Sequence, residues 1–362
     1  MKNTFGNNVS VTLFGESHGV AIGAVVDGLP AGIPVSEDFI RHQLSLRRPV
    51  GKISTPRREA DKFRILSGVY NGYTTGTAIA IVIENENTHS SDYSEMRSVA
   101  RPGHADYTAY CKYKGYEDYR GGGHFSGRIT AALVAAGAVI ISALRNKGIT
   151  VGTHIKSVHG VCDRNFENIE EDILALANKE FAVLDEIVEE QMKNEITKAA
   201  EQGDSVGGVL ESAVCGLPAG VGEPWFDTLE GCLSHILFSV PAIKGVEFGA
   251  GFDIADMYGS EANDCLCYNG EKVITKTNNN GGINGGITNG MPVVFRCAVK
   301  PTPTIFKEQE TVDFTTKENT VISPKGRHDP CIVHRARVVV DSACAIAVCD
   351  MLAAKFGSDW LA

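Results

Sequence analysis

One eighteen-residue stretch occurs twice in this chain. Residues 15–32 read GESHGVAIGAVVDGLPAG and residues 203–220 read GDSVGGVLESAVCGLPAG; aligned without gaps, nine of eighteen positions are identical. The shared glycines, the serine and the GLPAG turn bracket an apolar run. A fold for this chain must therefore hold two related strand-turn units, a tighter constraint than composition supplies. His18 does not recur, because its counterpart is Val206. The shared backbone has no need of an imidazole there, so His18 is a candidate for chemistry. The competing reading is a histidine satisfied inside the structure.

The rest of the pattern mixes strands and helices. Residues 9–14 and 20–27 alternate or run apolar and predict strands, as does the β-branched run 77–84. Ser36 to Leu46 predicts a helix, with Ser36 as N-cap and Phe39, Ile40, Gln43 and Leu44 at helical spacing. Segments 47–62 and 88–127 read as loops, and a loop as long as the second is usually functional. Arg128 to Lys147 is the clearest helix, capped by Ser126 and ended by Gly148. One or two polar helices are expected over 167–202, strands over 206–214 and 291–299, and a long Ala- and Val-rich helix over 331–356. Residues 278–290 are rich in Asn and Gly.

Composition excludes several classes. With 362 residues, 43% hydrophobic and 22% charged, the chain suits one large globular domain or two smaller ones. No run of eighteen apolar residues occurs, so no membrane span is expected. The N-terminus has one early lysine and no apolar core, which argues against a secretory leader. Ten scattered cysteines without CxxC read as reduced thiols rather than disulfides or metal ligands. A net charge of −10 makes nucleic acid a poor partner. Yet from Arg41 to Arg64 there are eight Lys or Arg against Glu59 and Asp61. A basic patch on an acidic protein suggests a small, highly charged anion; the bland alternative is a solvated charged face. The segment is expected to order when an anion offsets its like charges.

Four polar clusters could carry chemistry: GESHG at 15–19, RPGHAD at 101–106, RGGGHFSGR at 120–128 and GRHDP at 326–330. His18 and His104 are candidate general acids, and an anionic ligand favours the protonated form of a nearby imidazole. Residues 121–127 offer glycine-rich backbone before a helix, which suits phosphate, with Ser126 and Arg128 as side-chain donors; a plain capped turn is the alternative. Asp329 could be a base or a helix cap. His104 and Asp106 could both be metal ligands, but HxD is a weak signal and no zinc signature, P-loop or GxGxxG occurs. Ser17 and His18 are adjacent in an extended stretch, which argues against a Ser-His dyad.

These motifs, in this order, resemble the chorismate synthase family. The resemblance runs from Thr4 to about Phe356 and includes VDGLPAG, RRE, ILSGV, GDSVGG, KGVEFGAGF, NGGINGGITNG and KPTPT. It implies an α/β sandwich with helices between antiparallel sheets and an internal pseudo-repeat. It further implies a single domain over 1–362 with related halves at about 1–150 and 200–356, assembled as a homotetramer in the cytoplasm. The implied reaction is the anti-1,4 elimination of phosphate from 5-enolpyruvylshikimate 3-phosphate to give chorismate. It needs reduced FMN (FMNH2) without net redox change, and the resemblance implies a flavoprotein of aromatic amino acid biosynthesis linked to NADP. No metal is implied, and an external flavin reductase would supply the reduced cofactor.

The resemblance also implies roles. His18 matches the acid that assists phosphate departure, His104 the histidine near the flavin, and Asp329 a proton relay. Ser17, Arg47, Arg48, Arg101, Ser126, Arg128 and Arg327 match substrate positions. Arg47, Lys52, His124, Phe125, Ser126, Ala242, Gly285, Lys300, Pro301, Thr302, Pro303, Thr304 and Arg327 match flavin positions. Three departures stand out: His124 and Phe125 where many relatives have Arg and Ser, Pro241 where some have Asn, and Asp341 where Glu is usual. His124 is a weaker, pH-dependent cation than Arg, so flavin phosphate affinity is expected to fall as pH rises. Two other readings compete with the enzyme: a catalytically inactive flavin- and anion-binding protein of the same fold, and a metal-dependent phosphatase using His104 and Asp106.

Overall fold

The computed structural model describes residues 2–49, 51–54, 60–86, 98–324 and 328–362. Two five-stranded sheets dominate it. In spatial order the first holds Thr4–Phe5, Ser10–Gly15, Ala21–Asp27, Ile79–Glu84 and Phe63–Ser67. The second holds Val161–Cys162, Thr150–Val158, Gly208–Cys215, Val293–Val299 and Ile243–Phe248. Every neighbouring pair is antiparallel.

The two copies of the repeat form the central strands. Ala21–Asp27 and Gly208–Cys215 each lie third of five, and each runs into its GLPAG turn. Gly28 and Gly216 open those turns at φ +87° and +83°, where an added Cβ would meet a carbonyl oxygen at 1.9 and 2.2 Å. Only glycine fits both the backbone and the space. A threonine from later in the chain clamps each turn in the same way. Thr74 Oγ1 donates to Pro30 O at 2.6 Å and accepts from Ile33 N at 2.9 Å. Thr288 Oγ1 donates to Pro218 O at 2.7 Å and accepts from Val221 N at 2.8 Å.

Helices fill the space between the sheets. Thr130–Asn146 packs on the first sheet and Val333–Phe356 on the second, and these two helices pack on each other. Thr130–Asn146 is apolar on nearly all sides, as a helix covered on all sides should be, and Val333–Phe356 is buried over most of its length, with Arg337, Asp341 and Asp350 among its buried residues. At Gly137 a Cβ would lie 2.3 Å from Ser342 Cβ, so the glycine sets their close approach. Glu37–Leu46 lies beside the first of them and Leu229–Leu237 beside the second. This is the sandwich expected from the sequence. Thr130–Asn146 with its leading turn is long and apolar enough to cross a membrane, but 83% of it is buried inside the protein.

One expectation needs revision. The segment 88–127 is not all loop, since Asp106–Tyr113 is helical and Arg120–Phe125 forms tight helical turns. The one or two polar helices expected over 167–202 are two, Ile169–Leu176 and Glu186–Glu201. The second sheet draws its strand Thr150–Val158 from outside 200–356, because that strand pairs along Gly208–Cys215.

Candidate functional site

The first cluster sits on a tight turn between two strands of the first sheet. Gly19 N donates to Glu16 O at 3.0 Å, which closes the turn around Ser17 and His18. Asn85 follows the neighbouring strand Ile79–Glu84. Its Nδ2 donates to Glu16 O at 3.0 Å and to Gly19 O at 2.9 Å, bracketing both reactive residues. Ser17 N donates to Gly123 O at 3.0 Å and His124 Nδ1 donates to Gly15 O at 2.8 Å. The third cluster is thereby fastened to the first. His18 and Ser17 are both buried, and Ser17 Oγ has no hydrogen-bond partner, so the two form no dyad.

The glycine run explains itself by what lies against it. An added Cβ on Gly121 would fall 2.4 Å from His18 Cδ2 and 2.9 Å from Ser17 Oγ. On Gly122 it would fall 3.2 Å from His104 Cε1. His18 and His104, far apart in sequence, thus lie against successive glycines of one turn. Gly121, Gly122 and Gly123 take φ of +60°, +84° and +54°, a region that side chains disfavour. The run does not lead directly into the long helix. A separate turn, Gly127–Ile129, intervenes, and Ser126 Oγ caps it by accepting from Arg128 N at 3.2 Å.

The second cluster is tied together internally. Arg101 donates from Nε to Asp106 Oδ2 and from Nη2 to Asp106 Oδ1, both at 2.8 Å. His104 Nδ1 lies 2.6 Å from Asp106 Oδ1. At that distance Nδ1 carries the proton and donates, which fixes the tautomer and leaves Nε2 for a ligand. Burial alone would raise the Asp106 carboxyl, but Arg101 and His104 outweigh it and hold it well below the usual range. With both oxygens hydrogen-bonded to the Arg101 guanidinium, Asp106 is a poor metal ligand. Among the described residues no group of three or more His, Cys, Asp or Glu could hold a metal ion.

The basic segment carries its own counter-ion. Asp61, fully buried, accepts from Arg47 Nη2 at 3.2 Å and from Arg128 Nη1. Burial works to raise the Asp61 carboxyl, but the two guanidiniums hold it below the usual range. Arg128 Nε continues to Asn85 Oδ1 at 3.0 Å. Arg48 donates to Ala60 O. Thus Arg47, Arg128 and the turn of His18 belong to one bonded network. Lys52 falls in the turn Gly51–Ile53, but its side chain lies outside what is described. Arg57 and Arg58 also lie outside the described residues, as does the expectation that ligands order this stretch.

The C-terminal motifs approach from the second sheet. Lys300 Nζ donates to Gly103 O at 2.5 Å, and Lys300 N to Ala242 O at 3.0 Å. Pro303 packs at Gly103 as well. Thr304 is buried, and Thr302 Oγ1 is buried with no partner. The second copy of the repeat supports this loop. Ser205 Oγ, the counterpart of Ser17, donates to Thr302 O at 2.7 Å. Val206 N, at the place of His18, donates to Pro330 O at 2.8 Å. Burial, Arg101 and the opposing pull of Asp329 together leave the His328 imidazole below its usual pKa. Asp329 accepts from Arg335 Nη1 at 2.5 Å. It lies before the helix Val333–Phe356, whose N-cap residue is Ile332.

Some expected residues lie elsewhere. Gly285 turns the small hairpin Ile283–Asn284/Ile287–Thr288 at the second GLPAG turn. That is the far end of the strand Gly208–Cys215 from Ser205, roughly 25 Å away at the usual rise. Arg327 lies outside the described residues. Phe125 is half-exposed against Tyr113. Asp341 is in the core, accepting from Thr153 Oγ1 at 2.6 Å, with burial pushing it up to about 6. Asp61, Asn85 and Arg335 are site residues that sequence reasoning missed. Only Asp61 had a signal, as one of two acids within a basic run.

A family model described as chorismate synthase matches residues 9–353. The chain belongs to the chorismate synthase family. Among relatives, the chorismate synthase of Thermococcus kodakarensis is 45% identical over 347 residues, 96% of each chain. That of Chitinophaga pinensis is 46% identical over 350 residues, covering 97% of this chain and 96% of the other. A crystal structure of a chorismate synthase superposes with a TM-score of 0.77 at 31% identity, covering 97% of this chain and 94% of that one. Chorismate synthase family members therefore share both the sequence and the sandwich described above.

Proposed function

We propose that the chain converts 5-enolpyruvylshikimate 3-phosphate to chorismate and inorganic phosphate. It acts as a carbon-oxygen lyase on a phosphate ester and needs reduced FMN without net redox change. The observation that carries this reading is the pair of imidazoles, His18 and His104, held against one glycine turn amid buried guanidiniums. The substrate carries about −4 charge and FMN about −2. Arg47, Arg48, Arg101, Arg128 and Arg327 supply the planar forks that match carboxylate and phosphate.

The residues fit a flavin. Ser17 Oγ, Thr302 Oγ1 and His328 Nε2 are buried polar atoms without protein partners, and Lys300 links the KPTPT loop to the second cluster. Ala242, Lys300, Pro301, Thr302, Pro303 and Thr304 would hold the cofactor with Lys52, His124, Phe125 and Ser126. Reduced FMN, when bound, would supply transient electron density to the allylic system and take up the proton lost from carbon. His18 donates a proton to the departing phosphate, a role worth about 10²–10⁴-fold in rate. His104, its Nδ1 fixed by Asp106, presents Nε2 to the flavin side of the site. Asp329 moves a proton at its carboxylate.

The reading extends to assembly. Trp225, Phe226, Phe252 and Tyr258 are 85%, 94%, 84% and 79% exposed, and such apolar surface suits contacts between copies, in the homotetramer that the family resemblance implies. Gly285, on its distant hairpin, could reach a flavin site only from a neighbouring copy. The chain is read as one domain of two related halves, the second beginning near Thr150 rather than 200, working in the cytoplasm with an external flavin reductase.

The test is anaerobic turnover of 5-enolpyruvylshikimate 3-phosphate with and without reduced FMN. Equal release of chorismate and phosphate, only with reduced flavin and largely lost in His18→Ala, is expected. Phosphate without chorismate would point to a hydrolase, and flavin binding without either product to a silent binding protein.

A further inference from the structure

The first turn of the helix Val333–Phe356 carries two polar side chains with no part in the scheme above, His334 and Arg335. The Arg335 guanidinium spans two acceptors. Its Nε donates to the Arg47 carbonyl oxygen at 2.9 Å and its Nη1 to Asp329 Oδ2 at 2.5 Å. Both partners of the ion pair are mostly buried, at 18% and 14% side-chain exposure. One residue earlier, His334 Nε2 lies 2.8 Å from Ser54 Oγ. Burial, aided by Arg335, pushes this imidazole down to about 3. It is therefore neutral in the working range, and its bond to Ser54 does not change with pH. The basic segment is thus held at residue 47 and at residue 54 by consecutive residues of one helical turn.

We infer that Arg335 is a positioning residue that fixes the Asp329 carboxylate relative to the main chain of Arg47. The inference rests on the reaction proposed above. The relation extends through side chains already described: Arg47 to Asp61, Asp61 to Arg128, Arg128 to Asn85, and Asn85 to the turn of His18. Asp329 and His18 come from opposite ends of the sequence, and Arg335 joins Asp329 to this chain of bonds. The task suits arginine. A planar fork reaches two acceptors in different directions at once, whereas a lysine ammonium is a single point of charge on a flexible stem. The two arms predict separable effects. The arm on Asp329 acts on turnover, and the arm on Arg47 acts on substrate binding.

The experiment compares wild type, Arg335→Gln, Arg335→Lys, Asp329→Asn and the Arg335→Gln/Asp329→Asn double variant. It reads kcat and KM for 5-enolpyruvylshikimate 3-phosphate under reduced FMN, with thermal melting and FMN titration as folding checks. Arg335→Gln is expected to lower kcat about tenfold or more and to raise KM, since small misplacements cost up to about 10²-fold. Arg335→Lys keeps the charge and the fold but recovers only part of kcat. In the Asp329→Asn background, Arg335→Gln should lower kcat no further while its effect on KM persists. A merely structural arginine would instead add its loss to that of Asp329→Asn. Additive losses in kcat, or wild-type kcat in both Arg335 variants beside an impaired Asp329→Asn, would overturn the inference alone. Wild-type kcat in Asp329→Asn would remove the role of Asp329 itself and the inference with it. An inactive wild type with bound FMN would overturn the reaction.

Discussion

The exchange Asp61→Asn probes the electrostatic design of the site most directly. Asp61 lies between the guanidiniums of Arg47 and Arg128, and the three side chains are 1%, 8% and 5% exposed. Removing one partner of a buried ion pair costs about 3–5 kcal/mol, because the remaining charge is left without compensation. Here both guanidiniums would lose this carboxylate, and an amide cannot offer oxygen to both. In phosphate-free buffer near pH 7 the variant should lose about 3–5 kcal/mol, a fall of about 1 M or more in the urea midpoint. Inorganic phosphate should restore part of that loss, and restore more in the variant than in wild type, since the anion replaces the missing charge. The pH dependence has a definite sign. A carboxylate held below its usual range contributes its stability above the unfolded pKa and loses it as pH falls through the folded one. The gap between wild type and variant should therefore close on acidification below about pH 4. Urea midpoints within about 0.2 M of each other at pH 7, without phosphate, would refute the reasoning.

Two further exchanges test other parts of the structure. Gly121→Ala places a Cβ 2.4 Å from His18 Cδ2 at φ +60°; kcat should fall about 10²-fold while far-UV circular dichroism stays unchanged, and wild-type turnover would contradict the packing. His154→Gln strips the cation from Asp163 and Glu211, which meet the buried imidazole at 3.0 and 2.9 Å, so it should cost about 3–5 kcal/mol in urea unfolding. Burial disfavours the His154 cation, but its hydrogen bonds to the two carboxylates raise it above 6.5. Its contribution is complete below pH 6.5 and is lost as pH rises through the folded value. Wild-type stability should show that alkaline decline and the variant should lack it.

What the sequence disclosed follows from the range of the signal. The repeat was visible because its turn chemistry is local: a positive-φ glycine, a buried leucine and a proline sit together at 28–30 and again at 216–218. The helix Thr130–Asn146 announced itself by its nearly unbroken apolar character, and Val333–Phe356 by its long Ala- and Val-rich run. Thr150–Val158 did not, because it is buried on both faces and carries His154 within its run, so alternation is absent. Asp106–Tyr113 is short, with Ala109 its one buried residue, and offered no apolar stripe to read. At the site, the clusters holding His18, His104 and Arg128 could be picked out by composition. Their connectors could not. Asn85 and Arg335 act only on residues that folding brings to them, and nothing in their own neighbourhood marks them out.

The place of Thr130–Asn146 has a consequence for how the chain is made. One face of this helix is covered by the first sheet, but its other face waits for Val333–Phe356. At about 5–20 residues added per second, that cover leaves the ribosome roughly 10–40 s later. Throughout that interval the nascent chain exposes a segment apolar enough to pass for a membrane span. Folding of the first sheet and its helix therefore cannot be completed during synthesis. A truncated product that stops before Val333 is a client for chaperones and proteases rather than half an enzyme.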